Sequence, residues 1–235
     1  MKEIFLDNKI AFNYYENNKN EILIIAPGWF MTKDSKIFCD IAETFESFFD
    51  IAVIDFRGHG KSKGFFSFSA KEHEDLRALI EYLRSKYKNI YLMGFSLGAA
   101  TSLIYSSIEQ RVNKLILVSV PSCFSKIENQ FWQKNAWVPT FKKFELKRWL
   151  SIRPSFIPYK KIKPIDVINK VDIPILFVTG EKDPIVFPWH TVKLYEKYTG
   201  TKLLKIFENG KHAEDIFVEN KAEFTKTCLN WLLNR

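Results

Sequence analysis

Short, nearly continuous runs of apolar residues alternate along the chain with longer segments whose apolar residues recur at helical spacing. The apolar runs cover 21–26, 51–55, 90–93, 114–120, 174–179 and 203–207. Runs of this length and composition are typical of strands that are buried on both faces of a sheet. Two further runs, 4–6 and 11–15, flank a short polar turn and predict an N-terminal hairpin.

Helices are predicted between these runs. They cover about 35–49, 69–87, 97–105, 189–198 and 218–233. The alternation favours the α/β class, with a mostly parallel sheet of about eight strands flanked by helices on both faces. Functional groups of such sheets lie at the carboxyl ends of the strands. The loops that fit this rule contain Trp29, Ser96, Asp183 and His212.

The alternation of strand and helix stops between residues 121 and 165. This segment contains three of the six tryptophans, and it has ten Lys and Arg residues but only two acidic residues. The rest of the chain has equal numbers of basic and acidic residues, so the segment accounts for the whole formal charge of +8. We therefore predict a core formed by 1–120 and 166–235, interrupted by a small lid insertion at 121–165.

Composition excludes several other classes of protein. With 235 residues and 46% apolar content, the chain fits one globular domain. Its apolar runs fall far short of the ~20 residues that span a bilayer, and its N-terminus lacks the pattern of a signal peptide. Cys39, Cys123 and Cys228 have no metal-ligand spacing and favour a reducing compartment. We expect a cytoplasmic protein without a metal or a cofactor, and the oligomeric state, a homo-oligomer included, stays open.

The sequence Gly-Phe-Ser-Leu-Gly at 94–98 joins a predicted buried strand to a predicted helix. This context is typical of a nucleophile elbow, in which a sharp turn presents Ser96 in front of a helix N-terminus. A second Gly-x-Ser-x-Gly match surrounds Ser62, but the residues directly after it, 65–69, are not typical of a helix start. We therefore predict Ser96 as the nucleophile.

A serine nucleophile needs a base and a group that orients the base. His212 follows the last predicted strand, and Asp183 follows the strand before it. The order nucleophile, acid, histidine is that of the α/β-hydrolases, so we predict a triad of Ser96, Asp183 and His212. The other candidates for the acid are Glu181 and Asp215, and both are more simply interpreted as solvated side chains. The other histidines are His59, His73 and His190, for which we expect structural roles.

The chain resembles the α/β-hydrolase superfamily from about residue 20 to its C-terminus. The resemblance is carried by Ala-Pro-Gly-Trp at 26–29, Asp-Phe-Arg-Gly-His-Gly-Lys-Ser at 55–62, Gly-Phe-Ser-Leu-Gly at 94–98, Gly-Glu-Lys-Asp-Pro at 180–184 and Gly-Lys-His at 210–212. It implies an oxyanion hole formed by the backbone N–H groups of Trp29 and Leu97. One departure is Pro27, because many relatives have a histidine there.

The fold supports many reactions, so the substrate must be argued from the lid. Its aromatic residues include Trp132, Trp137 and Phe141. They either pack the lid onto the core, or form an apolar acyl pocket whose basic rim favours an anionic substrate. We predict a hydrolase that cleaves carboxylic esters or thioesters of small molecules. A peptidase or amidase and a non-catalytic ligand-binding protein are the alternatives, and nucleic-acid binding is not expected because no recognition motif accompanies the charge.

Overall fold

The computed structural model describes residues 1–125, 150–157 and 159–233. The predicted lid contacts Trp132, Trp137 and Phe141 lie outside the described residues. The division into a core and a lid at 121–165 therefore stays a prediction.

In the described residues, eight strands form one sheet in the order β1-β2-β4-β3-β5-β6-β7-β8. The strands are β1 (Lys2–Leu6), β2 (Ile10–Tyr15), β3 (Glu21–Ala26), β4 (Asp50–Ile54), β5 (Asn89–Phe95), β6 (Lys114–Val118), β7 (Ile175–Gly180) and β8 (Lys202–Phe207). The N-terminal hairpin β1–β2 is antiparallel and adds to β4, whereas β3 to β8 pair with one another in parallel. The predicted α/β class, with a mostly parallel sheet of eight strands, is confirmed.

The described helices are α1 (Lys36–Phe45), α2 (Glu72–Leu83), α3 (Leu97–Ile108), α4 (Pro164–Val167), α5 (Pro188–Lys197), α6 (Glu214–Glu219) and α7 (Lys221–Leu232). The predicted start of α2 at Ser69 was wrong because Phe68 and Ser69 both have positive φ angles, which a right-handed helix excludes. The predicted closing helix is divided in two at Asn220, whose φ of −132° and ψ of 39° are not helical. Among these described helices, none combines the length and the apolar character needed to cross a membrane.

Alternate residues of the parallel strands β3 to β7 enter two separate apolar cores. On β3, Ile22 and Ile24 face one core, and Leu23 and Ile25 face the other. The first core is closed by apolar side chains of α2, α3 and α5, and the second by those of α1 and α7. Helices on both faces explain why the strands are apolar throughout rather than alternating.

The chain that follows residue 149 is attached to the loop after β4. The backbone N–H of Arg153 donates to Gly58 O, and its carbonyl accepts from Phe66 N, both at 2.8 Å. Gly58 has a φ of 72°, and a Cβ there would lie only 2.2 Å from Phe66 N. The Arg153 guanidinium adds bonds to nearby carbonyl oxygens, those of Gly60, Ser62, Gly64 and Ser151. Both chain segments are thus held at the carboxyl edge of the sheet.

Candidate active site

Ser96 lies at a strained turn between β5 and α3. Its φ of 52° and ψ of −111° fall outside the usual regions for a residue with a side chain. The turn is tight, because a Cβ on Gly98 would lie 2.1 Å from Ala26 O and one on Gly94 would lie 2.6 Å from Ala99 N. Both glycines of the motif are therefore needed for close packing, and the local geometry is that of a nucleophile elbow.

His212 and Asp183 form a buried hydrogen-bonded pair. His212 Nδ1 lies 2.8 Å from Asp183 Oδ2, and the two residues are 8% and 2% exposed. The other carboxylate oxygen, Oδ1, accepts the backbone N–H groups of Ile185 and Val186, both at 2.9 Å. These donors fix the carboxylate and stabilise its negative charge. Because Nδ1 donates to the carboxylate, Nε2 is the ring nitrogen that can accept a proton.

The end of β6 connects the elbow to the histidine loop. Ser96 N donates to Val118 O at 2.8 Å, and Ala213 N donates to the hydroxyl of Ser119 at 2.9 Å. Two consecutive residues at this strand end thus anchor the nucleophile candidate and the residue after His212. The sequence did not predict this role of Ser119, because no motif around the residue indicates a hydrogen-bond partner that lies 94 positions further along the chain.

The loop after β3 packs directly against the elbow. A Cβ on Gly28 would lie 3.4 Å from the Cβ of Ser96, so the backbone that leads to Trp29 touches the nucleophile candidate. Leu97 is the first residue of α3, where backbone N–H groups have no partner within the helix. Both predicted oxyanion amides therefore belong to segments that adjoin Ser96, and their role stays a prediction.

Ser62, in the second Gly-x-Ser-x-Gly match, has a structural environment. Its hydroxyl donates to Asp55 O at 2.6 Å and accepts the N–H of Ala11 at 2.8 Å, and the side chain is fully buried. The Asp55 carboxylate in turn accepts the backbone N–H groups of Lys33 and Lys61. This network joins the N-terminal hairpin to the loops after β3 and β4.

The remaining histidines have separate environments. His59 is 1% exposed, its ring lies edge-on to Phe66, and burial lowers its pKa to about 4. Burial also lowers the pKa of the half-buried His73 on α2. His190 lies in the first turn of α5 and is hydrogen-bonded through Nδ1 to the hydroxyl of Ser122 at 2.7 Å.

The two alternative acids occupy other positions. Glu181 is exposed, and its Oε2 accepts the N–H of Asn209 at 3.1 Å. Asp215 is in the first turn of α6, where its backbone N–H donates to His212 O. Among the residues that the structure describes, no group of three or more His, Cys, Asp or Glu side chains could hold a metal ion.

Comparison with known proteins agrees with this architecture. Residues 21–141 match the family model described as the alpha/beta hydrolase fold, which is half of the chain. The chain therefore belongs to the alpha/beta hydrolase family.

The individual proteins described here are each less than 30% identical to this chain. The chain is 29% identical to the uncharacterized protein YqkD of Bacillus subtilis, over 79% of this chain and 62% of that protein. It is 21% identical to the serine hydrolase BPHL of Homo sapiens, over 96% of this chain and 84% of the relative. The esterase Pf2001 of Pyrococcus furiosus superimposes with a TM-score of 0.80 at 20% identity, over 99% of this chain and 88% of the esterase. The chain thus spans somewhat less than two thirds of YqkD, and the structural likeness concerns the fold.

Proposed function

We propose that this protein is a serine hydrolase that cleaves carboxylic ester or thioester bonds, with Ser96 as nucleophile, His212 as base and Asp183 as the acid that orients it. The observation that carries this proposal is the 2.8 Å hydrogen bond between His212 Nδ1 and Asp183, on a loop anchored to the same strand end as the Ser96 elbow. A serine, a histidine and a buried carboxylate at one edge of the sheet supply the groups that acyl transfer needs.

The reaction would proceed in two halves. In the first, Ser96 Oγ attacks the carbonyl carbon while His212 Nε2 takes the hydroxyl proton. The proton then passes to the departing alcohol or thiol, and the acyl group is left as an ester on Ser96. In the second half, His212 Nε2 takes a proton from a water molecule, whose oxygen attacks the carbonyl carbon of this ester. The bond to Ser96 Oγ then breaks, His212 returns the proton to this oxygen, and the acyl group leaves as a carboxylic acid.

The developing oxyanion would be stabilised by the N–H groups of Trp29 and Leu97. The N-terminus of α3 adds the partial positive charge of its helix dipole at the same place. Donors that are already aligned cost no reorganisation when the negative charge forms. The oxyanion hole is built from backbone, so Pro27 does not prevent it, although the support of the loop must differ from that in relatives with a histidine there.

The choice of esters and thioesters is supported by similarity to proteins named an esterase and a serine hydrolase. An anionic acyl substrate, one of the two possibilities left open by the sequence, is supported by the basic excess of segment 121–165. One ammonium of this segment, that of Lys161, lies 5.2 Å from the centre of the Phe68 ring in the loop after β4.

The test is covalent labelling combined with turnover. A fluorophosphonate should modify Ser96 of the wild-type chain, and short acyl esters and thioesters should be hydrolysed. Ser96→Ala should lose the label, and its kcat should fall by roughly 10⁶ if the three residues act as a unit. Peptide-bond substrates in the same panel distinguish an esterase from a peptidase.

Ser62→Ala is the matched control, because this serine has the same sequence pattern but a buried hydroxyl. It should keep both the label and most of the activity. A label that survives in Ser96→Ala would contradict the assignment of the nucleophile. A correctly folded wild-type chain that neither labels nor cleaves any acyl compound would favour the non-catalytic alternative.

A further inference from the structure

Four aromatic side chains from two loops meet beside Ser96. Trp29 and Phe30 follow β3, and Phe66 and Phe68 follow β4. The ring of Trp29 lies 4.4 Å from that of Phe30, 6.3 Å from Phe66 and 6.0 Å from Phe68, measured between centroids. Phe66 and Phe68 are themselves 4.5 Å apart. We call these four residues the aromatic platform.

The platform adjoins the position of the reacting carbonyl group. On one side, Gly28 brings the backbone before Trp29 against the Cβ of Ser96. On the other side, Phe66 packs in one apolar cluster with Leu97 and Ala100, which form the first turn of the helix behind the nucleophile. An acyl group bound to Ser96 would therefore have aromatic rings close to it.

The rings differ in exposure in a way that suits binding. Phe66 is 1% exposed and supports the others, whereas Trp29, Phe30 and Phe68 each keep part of their surface accessible. Side chains that only close a core would be covered. The ammonium of Lys161 lies over the Phe68 ring, 5.2 Å from its centre, so a bound ring would meet the remaining surface of these side chains. Partly exposed aromatic rings offer faces and edges that favour another aromatic ring by about 0.5–1.5 kcal/mol beyond its area.

The backbone at two of these rings is strained. Phe30 has a φ of 62° and Phe68 a φ of 56°, in the left-handed region that bulky residues avoid. Such a conformation costs on the order of 1–3 kcal/mol, and residues of this kind cluster at ligand-binding and active sites. Both strained residues carry an accessible ring, so the strain and the exposure occur together.

We propose that the aromatic platform binds an aromatic acyl group, so that aryl-substituted carboxylic esters or thioesters are the preferred substrates. This inference rests on the hydrolase function proposed above. It differs from a general apolar pocket, because it requires a ring with a π face rather than apolar area alone.

The test compares two esters that differ only in the ring. Methyl 3-phenylpropanoate and methyl 3-cyclohexylpropanoate have the same carbon count, and their leaving group is too small to occupy the platform. The wild-type chain should show a kcat/KM about 3- to 10-fold higher for the phenyl ester. Phe68→Leu should abolish this preference while it still hydrolyses the cyclohexyl ester.

Phe65→Leu is the matched control, because Phe65 belongs to the same loop but is 61% exposed and outside the platform. It should keep the phenyl preference. Equal kcat/KM values for the two esters in the wild type, or the same loss in Phe65→Leu as in Phe68→Leu, would overturn the proposal.

Binding measured without turnover separates this inference from the proposed reaction. Titration calorimetry of Ser96→Ala should show tighter binding of 3-phenylpropanoate than of 3-cyclohexylpropanoate, and Phe68→Leu in the same background should remove the difference. Selective binding with no hydrolysis of any ester would support the proposed binding role of the aromatic platform and contradict the proposed hydrolase function. Hydrolysis with no selectivity in either assay would contradict the binding role of the platform and leave the hydrolase function supported.

Discussion

Single residues with strained backbone are concentrated at the carboxyl edge of the sheet. Of the described non-glycine residues with positive φ, four are Asp or Asn, which tolerate this region in turns. The others are Phe30, Phe68, Ser69, Ser96, Ser119 and Ala213. All six lie in loops that follow β3, β4, β5, β6 or β8. Strain of this kind persists only where surrounding contacts impose it, so its location marks the same edge as the candidate triad.

Ser119 is expected to position His212 rather than to touch substrate. Its hydroxyl accepts the N–H of Ala213, and both residues are fully buried. Ser119→Ala removes a hydrogen bond worth about 0.5–1.5 kcal/mol, so we expect kcat to fall about 2- to 10-fold while KM stays unchanged. Steady-state kinetics on a short ester measures both constants.

Ser122→Ala is the control for this prediction, because Ser122 is a buried serine of the same loop whose hydroxyl bonds to His190 instead. It should leave kcat near the wild-type value. A rise in KM with unchanged kcat in Ser119→Ala would indicate that Ser119 acts on substrate binding, contrary to the expectation.

At the scale of elements, the elbow depends on the contact between α3 and the end of β3. Gly98 lies where a Cβ would be 2.1 Å from Ala26 O and 2.5 Å from Pro27 O. Gly98→Ala should push the loop of Trp29 away from Ser96 and lower the free energy of unfolding by about 1–3 kcal/mol or more. Urea unfolding measures this loss, and ester hydrolysis should fall with it.

Gly64→Ala is the control for Gly98→Ala, because it tests the cost of an unfavourable backbone angle without steric crowding of the added Cβ. Gly64 has a φ of 86°, but the nearest atom to an added Cβ is 3.7 Å away. The substitution should therefore cost about 1 kcal/mol through conformation alone and leave activity in place. Equal losses in both variants would argue against close packing at the elbow.

For the whole molecule, His59 makes stability depend on pH. Burial lowers its pKa to about 4 in the folded chain, from about 6.5 in the unfolded one. The unfolded chain therefore binds more protons between these values, and the free energy of unfolding falls as the pH drops through this range. The contribution of His59 is fully present above about pH 6.5, and roughly 3 kcal/mol of it is lost at about pH 4.

The measurement is urea unfolding at several pH values for the wild type and His59→Gln. Asp55 and Asp75, whose pKa values burial raises to about 6, act in the opposite direction, so the difference between the two chains isolates His59. His73→Gln is the control and should change the pH dependence less, because that ring is only half-buried. Identical pH dependence in the wild type and His59→Gln would contradict a neutral buried imidazole.

The sequence by itself determined the class of fold and the order of its parts. Continuous apolar runs occur where strands are covered on both faces, so the run at Glu21–Ala26 was enough to predict a buried strand. Ser96 could be distinguished from Ser62 because a strand and a helix flank only the first. These signals are local in the chain, which is why they could be recognised there.

The tertiary structure decided what depends on contacts between distant segments. It paired His212 with Asp183, 29 positions apart, and revealed Ser119 as the anchor of the histidine loop. It also brought Trp29 to Phe66 and Phe68, although no periodicity links those loops. The start of α2 at Glu72 rather than Ser69, and the break in the closing helix at Asn220, were visible only in the backbone angles. The triad partners could be predicted from the order of the loops, but the role of Ser119 and the contacts between the aromatic rings could not, because these arise only when the sheet places the ends of its strands side by side.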